Sequence, residues 1–202
     1  MTQTQKKTHR LAVAAMLTAV AAVLQFVEFA IPLMPSFIKL DISDLPALLG
    51  TFSLGPVYGV AIQLAKNLLH LPFGSSAGVG ELSNFILGAV FVFVAGIIYK
   101  HNKSRKSALV GSVAGAASMA LVSIVTNYFI VYPAYVALYK LPLEAIVGMY
   151  EAILGGVSHV PTQNALLNCL LVFNVPFTLV KGLLDTALCF LIYKPLSPLL
   201  HR

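Results

Sequence analysis

The stretch LPALLGTFSLGPVYGVAIQLAKNLLHLPF, residues 45–73, decides how many times this chain crosses a membrane. Both halves of the stretch are apolar, but each is shorter than the roughly 20 residues that a membrane-spanning helix needs. Gly55-Pro56 separates them, and this pair commonly ends one helix and begins the next. The crossing number therefore depends on whether Gly55-Pro56 is a turn between two spans.

The composition is that of an integral membrane protein. The chain has 202 residues, of which 58% are hydrophobic and 10% are charged, and its mean hydropathy is +0.88. Soluble domains carry roughly 25% charged residues, so a water-soluble globule is excluded. The length suits a single membrane domain, residues 1–202, of about six helices. Because the G-x-x-x-x-G-K-[ST] phosphate loop is absent from the sequence, uphill transport would need energy from another subunit.

The basic residues orient the chain. Acidic residues are missing from the basic stretches that flank the apolar runs, which contain Lys6, Lys7, Arg10, Lys100, Lys103, Arg105, Lys106, Lys194 and Arg202. This distribution is the positive-inside pattern and does not indicate nucleic-acid binding. If KKTHR and KHNKSRK are both cytoplasmic, an even number of spans separates them. Gly55-Pro56 is then predicted to be a turn on the cytoplasmic side.

The predicted fold is an all-α bundle of six transmembrane helices with both termini cytoplasmic. Residues 134–174 are expected to form a long external segment whose middle, LEAIVGMYEAILGG, has helical spacing. Cys169 and Cys189 are isolated and fit packing roles, and the sequence has no metal-ligand spacing. The six expected spans are residues 11–31, 45–56, 57–73, 78–100, 107–133 and 175–194.

Polar groups gather at the external ends of these predicted helices, whereas the cytoplasmic halves are almost purely apolar. Charges within a span are costly unless they face a partner or a wet cavity. An outward-facing pocket with polar walls is what capturing a polar organic solute requires. The candidate substrate-binding residues are Lys39, Asp41, Asn84, Asn127, Thr178 and Lys181.

Lys181 and several other polar residues in or near the predicted spans also have a purely structural interpretation. Asp44, which precedes Leu-Pro, is well placed to cap a helix. Lys181 and Asp185 are four residues apart and could form an ion pair on one helix face. Glu81 suits the positive end of a helix, and His70 fits the membrane surface. An intramembrane enzyme using Glu81 and His70 as acid and base is a weaker alternative, because no catalytic arrangement is apparent.

Small residues four apart mark the first span. Ala15 and Ala19 would let another helix backbone approach closely. That neighbour could be a helix of this chain or a separate membrane subunit, and the sequence leaves both readings open.

The run IKLDISDLPALLGTFSLGPVYGVAIQLAKNLL, continued by GVGELSNFILGAVFV, resembles the substrate-binding S components of energy-coupling-factor vitamin transporters. It is most similar to the riboflavin-type branch, which has a comparable K-x-D-x-S-D-x-P loop, G-P turn, K-N pair and G-x-x-A/S-N-F segment. The runs TNYFIVYPAY and PFTLVKG match further patterns of that branch. The residues that carry the resemblance are Lys39, Asp41, Ser43, Asp44, Pro46, Gly55, Pro56, Lys66, Asn67, Gly80, Ser83, Asn84 and Phe85.

The resemblance implies a vitamin-binding subunit of the bacterial cell membrane that works with a transmembrane coupling protein and two ATPases. It implies that Ala15 and Ala19 dock the coupling protein, and that Asn127 and Lys181 bind the ligand. Riboflavin is the expected vitamin, as a transported ligand and not as a cofactor. Thr178 departs from the pattern, which has Asn there. An S component for another vitamin such as pantothenate, a stand-alone carrier and a membrane enzyme remain the alternatives.

Overall fold

The structure is a computed structural model that describes residues 2–32, 34–35, 38–74, 76–140, 142–153 and 165–200, with side chains as far as residue 193. Its helices are α1 (Gln3–Gln25), α2 (Asp44–Leu54), α3 (Pro56–His70), α4 (Val79–His101), α5 (Arg105–Thr126), α6 (Tyr132–Tyr139), α7 (Leu143–Ile153), α8 (Ala165–Cys169) and α9 (Val175–Leu200). Two π-helical turns, π1 (Asn127–Val131) and π2 (Leu170–Asn174), join α5 to α6 and α8 to α9. Strands β1 (Phe29–Ala30) and β2 (Lys39–Leu40) form an antiparallel pair.

The break at Gly55-Pro56 is confirmed as a turn between two helices. Gly55 has a φ of +114°, which a residue with a side chain rarely adopts, and Pro56 opens α3. α2 has only 11 residues, and those from Asp44 to Phe52 are all buried. It contacts α1, α3, α4 and α9 and therefore lies at the centre of the bundle.

Four helical segments are long and apolar enough to cross a membrane: Gln3–Gln25, Val79–His101, Arg105–Tyr139 and Ala165–Tyr193. Large apolar side chains such as Leu121, Val125 and Phe129 are exposed on their outer faces, as expected for a surface in contact with lipid. α2 and α3 are each too short to meet the same length criterion. The six-span count and the orientation of the termini therefore stay predictions.

Three predicted boundaries are wrong. The first helix is Gln3–Gln25 and not residues 11–31, because residues 29–30 pair with β2. The described residues between 134 and 174 are mostly helical: α6 prolongs α5, and α8 and π2 precede α9. α9 also continues past Lys194-Pro195 to Leu200, so Pro195 removes one backbone donor without ending the helix. The expected helix inside LEAIVGMYEAILGG is present as α7, while residues 154–164 lie outside the described part.

α4 and α5 pack closely because glycines of α5 meet the backbone of α4. A Cβ on Gly115 would lie 2.5 Å from the Phe91 carbonyl oxygen, and one on Gly111 would lie 2.7 Å from that of Ala95. Small residues allow such approach where no aqueous hydrophobic effect drives helices together. This contact holds the α4–α5 pair that carries one wall of the site.

Candidate functional site

A cavity of about 330 Å³ opens at the end of the bundle where α3 and α5 end and α4 and α9 begin. Its walls come from the end of α1, the β-hairpin region, α3, α4, the α5–π1 junction, α6, π2 and α9. Small-molecule sites in proteins are typically roughly 300–1,000 Å³. All six candidate substrate-binding residues line this one cavity: Lys39, Asp41, Asn84, Asn127, Thr178 and Lys181.

Lys181 joins three elements at the base of the cavity. Its ammonium donates to Asp41 Oδ2 at 2.8 Å and to Asn84 Oδ1 at 3.2 Å, and it lies 3.4 Å from Asp44 Oδ2. The alternative ion pair with Asp185 is wrong, since no such contact within 4.0 Å occurs in the described part of the chain. Both carboxylate oxygens of Asp185 are buried and have no hydrogen-bond partner among the described residues.

Lys66 and Asp44 form a second ion pair beside the first, and both side chains are completely buried. The Lys66 ammonium lies 2.6 Å from Asp44 Oδ1 and 2.5 Å from Ser43 Oγ, and the Gln63 amide donates to Asp44 Oδ1 at 2.9 Å. The capping interpretation of Asp44 is wrong: α2 begins at Asp44 itself, and Ser43 occupies the cap position. This network ties the first loop to α2 and α3.

Asp41 is held ionised by the same network. Its burial opposes ionisation, but the ammonium groups of Lys181 and Lys66 outweigh it and lower the pKa of Asp41 below its ordinary value of 3.8. The carboxylate also accepts a hydrogen bond from the Ser43 backbone N–H at 2.9 Å and one from its hydroxyl. The loop preceding α2 is therefore fixed against α9 by a charged contact.

The β-hairpin places Lys39 at the mouth of the cavity. Ala30 pairs with Lys39 across the hairpin, and the Lys39 ammonium makes an ion pair with Glu28, which precedes β1. Both side chains are about one-third exposed, as expected for groups at an opening. Lys39 therefore lies at the rim, whereas Asp41 lies inside.

His70 and Glu81 form a buried pair that also lines the cavity. The His70 Nδ1 atom lies 2.9 Å from Glu81 Oε1, and the Ser76 hydroxyl donates to Glu81 Oε2 at 2.8 Å. The interpretation of His70 as a surface residue is wrong, because it is only 9% exposed and lines the cavity. The pair links the end of α3 to the first turn of α4, so Glu81 does sit at a positive helix end as expected.

Asn127 and Thr178 have polar side chains on the cavity wall that lack a protein partner. They are 7% and 5% exposed, and neither side chain makes a hydrogen bond to the rest of the described chain. Their polar atoms are not among the fully buried atoms without a partner, so both groups remain accessible from the cavity. Such groups on the wall of a cavity are suited to a polar ligand.

The two π-helical turns place the candidate Asn127 and one further residue, Asn174, at the cavity. π1 begins at Asn127 and π2 ends at Asn174, and both residues line the cavity. Asn174 Oδ1 accepts from the Tyr150 hydroxyl at 2.6 Å, and Tyr150 also contacts the Tyr132 hydroxyl. Asn174 lies four residues before Thr178, so helical spacing in the sequence could have placed it on the same face. Tyr150 is distant in sequence, and spacing could not have placed it beside Asn174. π-helical turns frequently occur at functional sites.

Ala15 and Ala19 both lie on the exposed face of α1. The buried face of α1 consists of Val13, Leu17, Ala21 and Gln25. The reading of Ala15 and Ala19 as packing residues within this chain is therefore wrong. Their docking role stays a prediction.

The sequence and the fold match known transport subunits. The family model "ECF transporter, substrate-specific component" covers residues 9–193. The chain belongs to this family. The S component is 34% identical over 197 residues to riboflavin transporter RibU of Staphylococcus aureus (strain TCH60). The aligned region covers 98% of this chain and 95% of that relative. The S component is 30% identical over 199 residues to riboflavin transporter FmnP of Bacillus subtilis (strain 168), at 97% and 96% coverage.

A solved structure of the S component of a bacterial ECF transporter has the same fold. Its TM-score against this S component is 0.73, with 34% sequence identity and coverage of 97% of this chain and 99% of that one. The expectations of a multi-pass protein of the bacterial cell membrane and of a transport subunit that is not an enzyme are confirmed. As a member of this family, the S component works with a vitamin ligand and an ECF module.

Proposed function

We propose that this S component captures riboflavin in the cavity and delivers it to the cytoplasm together with an ATP-driven module. The module is a transmembrane coupling protein with two ATPases. The relatives' names as riboflavin transporters support the choice of vitamin. The observation that carries the proposal is the pair of unpartnered side chains, Asn127 and Thr178, on the wall of a cavity that also contains Lys181.

The chemistry of the wall fits a flavin. The isoalloxazine ring carries carbonyl oxygens, an N–H and ring nitrogens on one edge, and an amide can both donate to and accept from such an edge. An ammonium has three donors, and Lys181 uses two of them on Asp41 and Asn84. Aromatic side chains on the same walls, Phe177 and Tyr135 among them, can pack against the ring. The ribityl hydroxyls suit the charged rim.

The proposed orientation places the cavity outside the cell. In a six-span arrangement with both termini cytoplasmic, α2 crosses inward and α3 crosses outward. The Gly55-Pro56 corner between them then faces the cytoplasm. The basic loop Lys100–Lys106 then lies on the same side. Ala15 and Ala19, exposed on α1, would meet the coupling protein through close helix packing. Riboflavin is thus a transported ligand and not a cofactor.

The direct test is purification followed by an absorption spectrum and a riboflavin titration. Bound flavin absorbs visible light, so the wild-type protein should be yellow or become so on titration. Asn127→Ala and Thr178→Val should each weaken riboflavin binding by roughly five- to 150-fold, because each removes a hydrogen-bonding group worth about 1–3 kcal/mol.

Thr126→Val is the matched control. Thr126 is as buried as Thr178, but its hydroxyl bonds to the Val122 carbonyl of its own helix and it does not line the cavity. Its affinity for riboflavin should equal that of the wild type. Failure of the wild type to bind riboflavin while binding pantothenate would show that the vitamin is wrong. Unchanged affinity in both cavity variants would show that the cavity is not the site.

A further inference from the structure

A second cavity, of about 250 Å³, lies at the end of the bundle opposite the first. The first cavity is built where α4 and α9 begin and α5 ends, whereas the second is lined by the end of α4, the start of α5 and the far part of α9. Because α4 and α5 run antiparallel, these are opposite membrane surfaces. The second cavity is therefore separate from the proposed vitamin site.

The depth of this second cavity is apolar. Phe52 of α2 and Tyr99 of α4 both line it, with ring centroids 4.9 Å apart in an edge-on arrangement. Ala108 and Cys189 line the wall and are almost completely buried. Tyr193 and Phe190 of α9 complete it. A ligand that fills this space must present an apolar body.

The mouth of the second cavity is cationic. Lys103 and Arg105 line it and are exposed, and Ser104 caps the N-terminus of α5 between them. In the described part of the chain, no carboxylate lies within 4.0 Å of either cation. A neighbouring recess that shares Phe52, Tyr99 and Lys103 adds further cations, Arg10 and Lys100.

The absence of counter-charges follows from the sequence. The chain has only seven acidic residues. None of them lines either recess at this end: they are Glu28, Asp41, Asp44, Glu81, Glu144, Glu151 and Asp185. A basic rim of this kind attracts an anion from outside the chain.

We propose that the second cavity binds an anionic phospholipid of the membrane leaflet at this end, with its phosphate at Lys103 and Arg105 and an acyl chain over Phe52, Tyr99 and Ala108. The position supports a lipid over a soluble anion, because the cavity lies at the ends of spanning segments and is lined by Tyr99 and Tyr193, a residue type enriched at membrane surfaces. Basic pockets between transmembrane helices bind lipid headgroups in this way.

The test measures lipid retention by the purified full chain. The protein is reconstituted in nanodiscs of about 30% phosphatidylglycerol and 70% phosphatidylcholine, and the lipids that remain bound after transfer to detergent are counted by native mass spectrometry. The wild type should retain phosphatidylglycerol in preference to phosphatidylcholine. Lys103→Gln with Arg105→Gln should weaken this retention by roughly 30-fold, from the interaction of two cations with an anionic lipid.

Two further variants separate the site from general surface charge. Lys6→Gln with Lys7→Gln removes the same charge from the exposed start of α1, outside both recesses, and should retain phosphatidylglycerol as the wild type does. Ala108→Leu keeps every charge but fills the apolar depth, and should also lower retention. Far-UV circular dichroism of each variant checks that the helices are intact.

Three outcomes would overturn the proposal. Equal retention of phosphatidylcholine would show that the site does not select an anion. Equal losses in the Lys6/Lys7 and Lys103/Arg105 variants would show that only overall charge matters. Displacement of phosphatidylglycerol by about 10 mM inorganic phosphate would assign the basic rim to a soluble phosphate instead of a lipid.

Discussion

Lys66 offers a sharp test of the buried ionic network. Its side chain is completely buried, and its ammonium contacts Asp44 Oδ1 at 2.6 Å and Ser43 Oγ at 2.5 Å. Lys66→Met keeps the length of the side chain but leaves Asp44 without its nearest cation. Removing one partner of a buried pair typically destabilises a protein by about 3–5 kcal/mol. Because Asp44 keeps Lys181 at 3.4 Å and the Gln63 amide at 2.9 Å, we expect a loss near the lower end, about 3 kcal/mol.

Two companion variants complete the test. Asp44→Asn alone leaves the Lys66 ammonium without its carboxylate and should lower the free energy of unfolding by a similar amount. Lys66→Met with Asp44→Asn leaves neither charge uncompensated, since Lys181 keeps Asp41, and should lie within about 1–2 kcal/mol of the wild type. Lys6→Met, an exposed change on α1, is the control and should alter nothing.

The assay is unfolding in mixed detergent micelles by SDS titration, followed by far-UV circular dichroism. A thiol-reactive dye gives an independent reading, because Cys169 and Cys189 are both buried and free in the folded protein. Additive losses in the double variant would refute the reasoning, since they would mean that Lys66 and Asp44 do not interact. A loss below about 1 kcal/mol for Lys66→Met would mean that the ammonium is not held as described.

Three further predictions concern docking, orientation and pH. Enlarging Ala15 and Ala19 to Leu should weaken co-purification with the coupling protein and ATPases while sparing riboflavin affinity, because both residues lie on the exposed face of α1. Loss of affinity as well would place them in the internal packing. A cysteine at Asn102, in a variant whose two native cysteines are alanine, should resist an impermeant maleimide in intact cells and react after lysis; labelling in intact cells would reverse the proposed orientation. Because the pKa of Asp41 is lowered in the folded protein, its pairing with Lys181 stabilises the fold. This stabilisation is fully present above about pH 4, the pKa of an aspartate in the unfolded chain, and is lost as the pH falls through the lower pKa of Asp41 in the folded state. The difference in unfolding free energy between wild type and Asp41→Asn should therefore be constant above about pH 4 and shrink below it, and a constant difference down to pH 2 would contradict this assignment.

The sequence by itself determined the class of the protein and part of the composition of the site. A low charge content and long apolar runs exclude a soluble fold, since hydrocarbon penalises charge wherever it lies. The Gly55-Pro56 corner was predictable because its backbone requirements are local. The candidate residues Lys39, Asp41 and Asn84 were found as polar groups at the predicted external ends of the helices.

Tertiary structure alone decided which charges are paired. Asp41 and Lys181 are 140 residues apart and lie in contact, whereas Asp185, one turn from Lys181, makes no ion pair with it in the described residues. Helical spacing reports which side chains share a face, but pairing depends on which other helix meets that face. The buried positions of Lys66 and His70 on α3 have the same origin, because Lys66 is buried against Asp44 of α2 and His70 against Glu81 of α4.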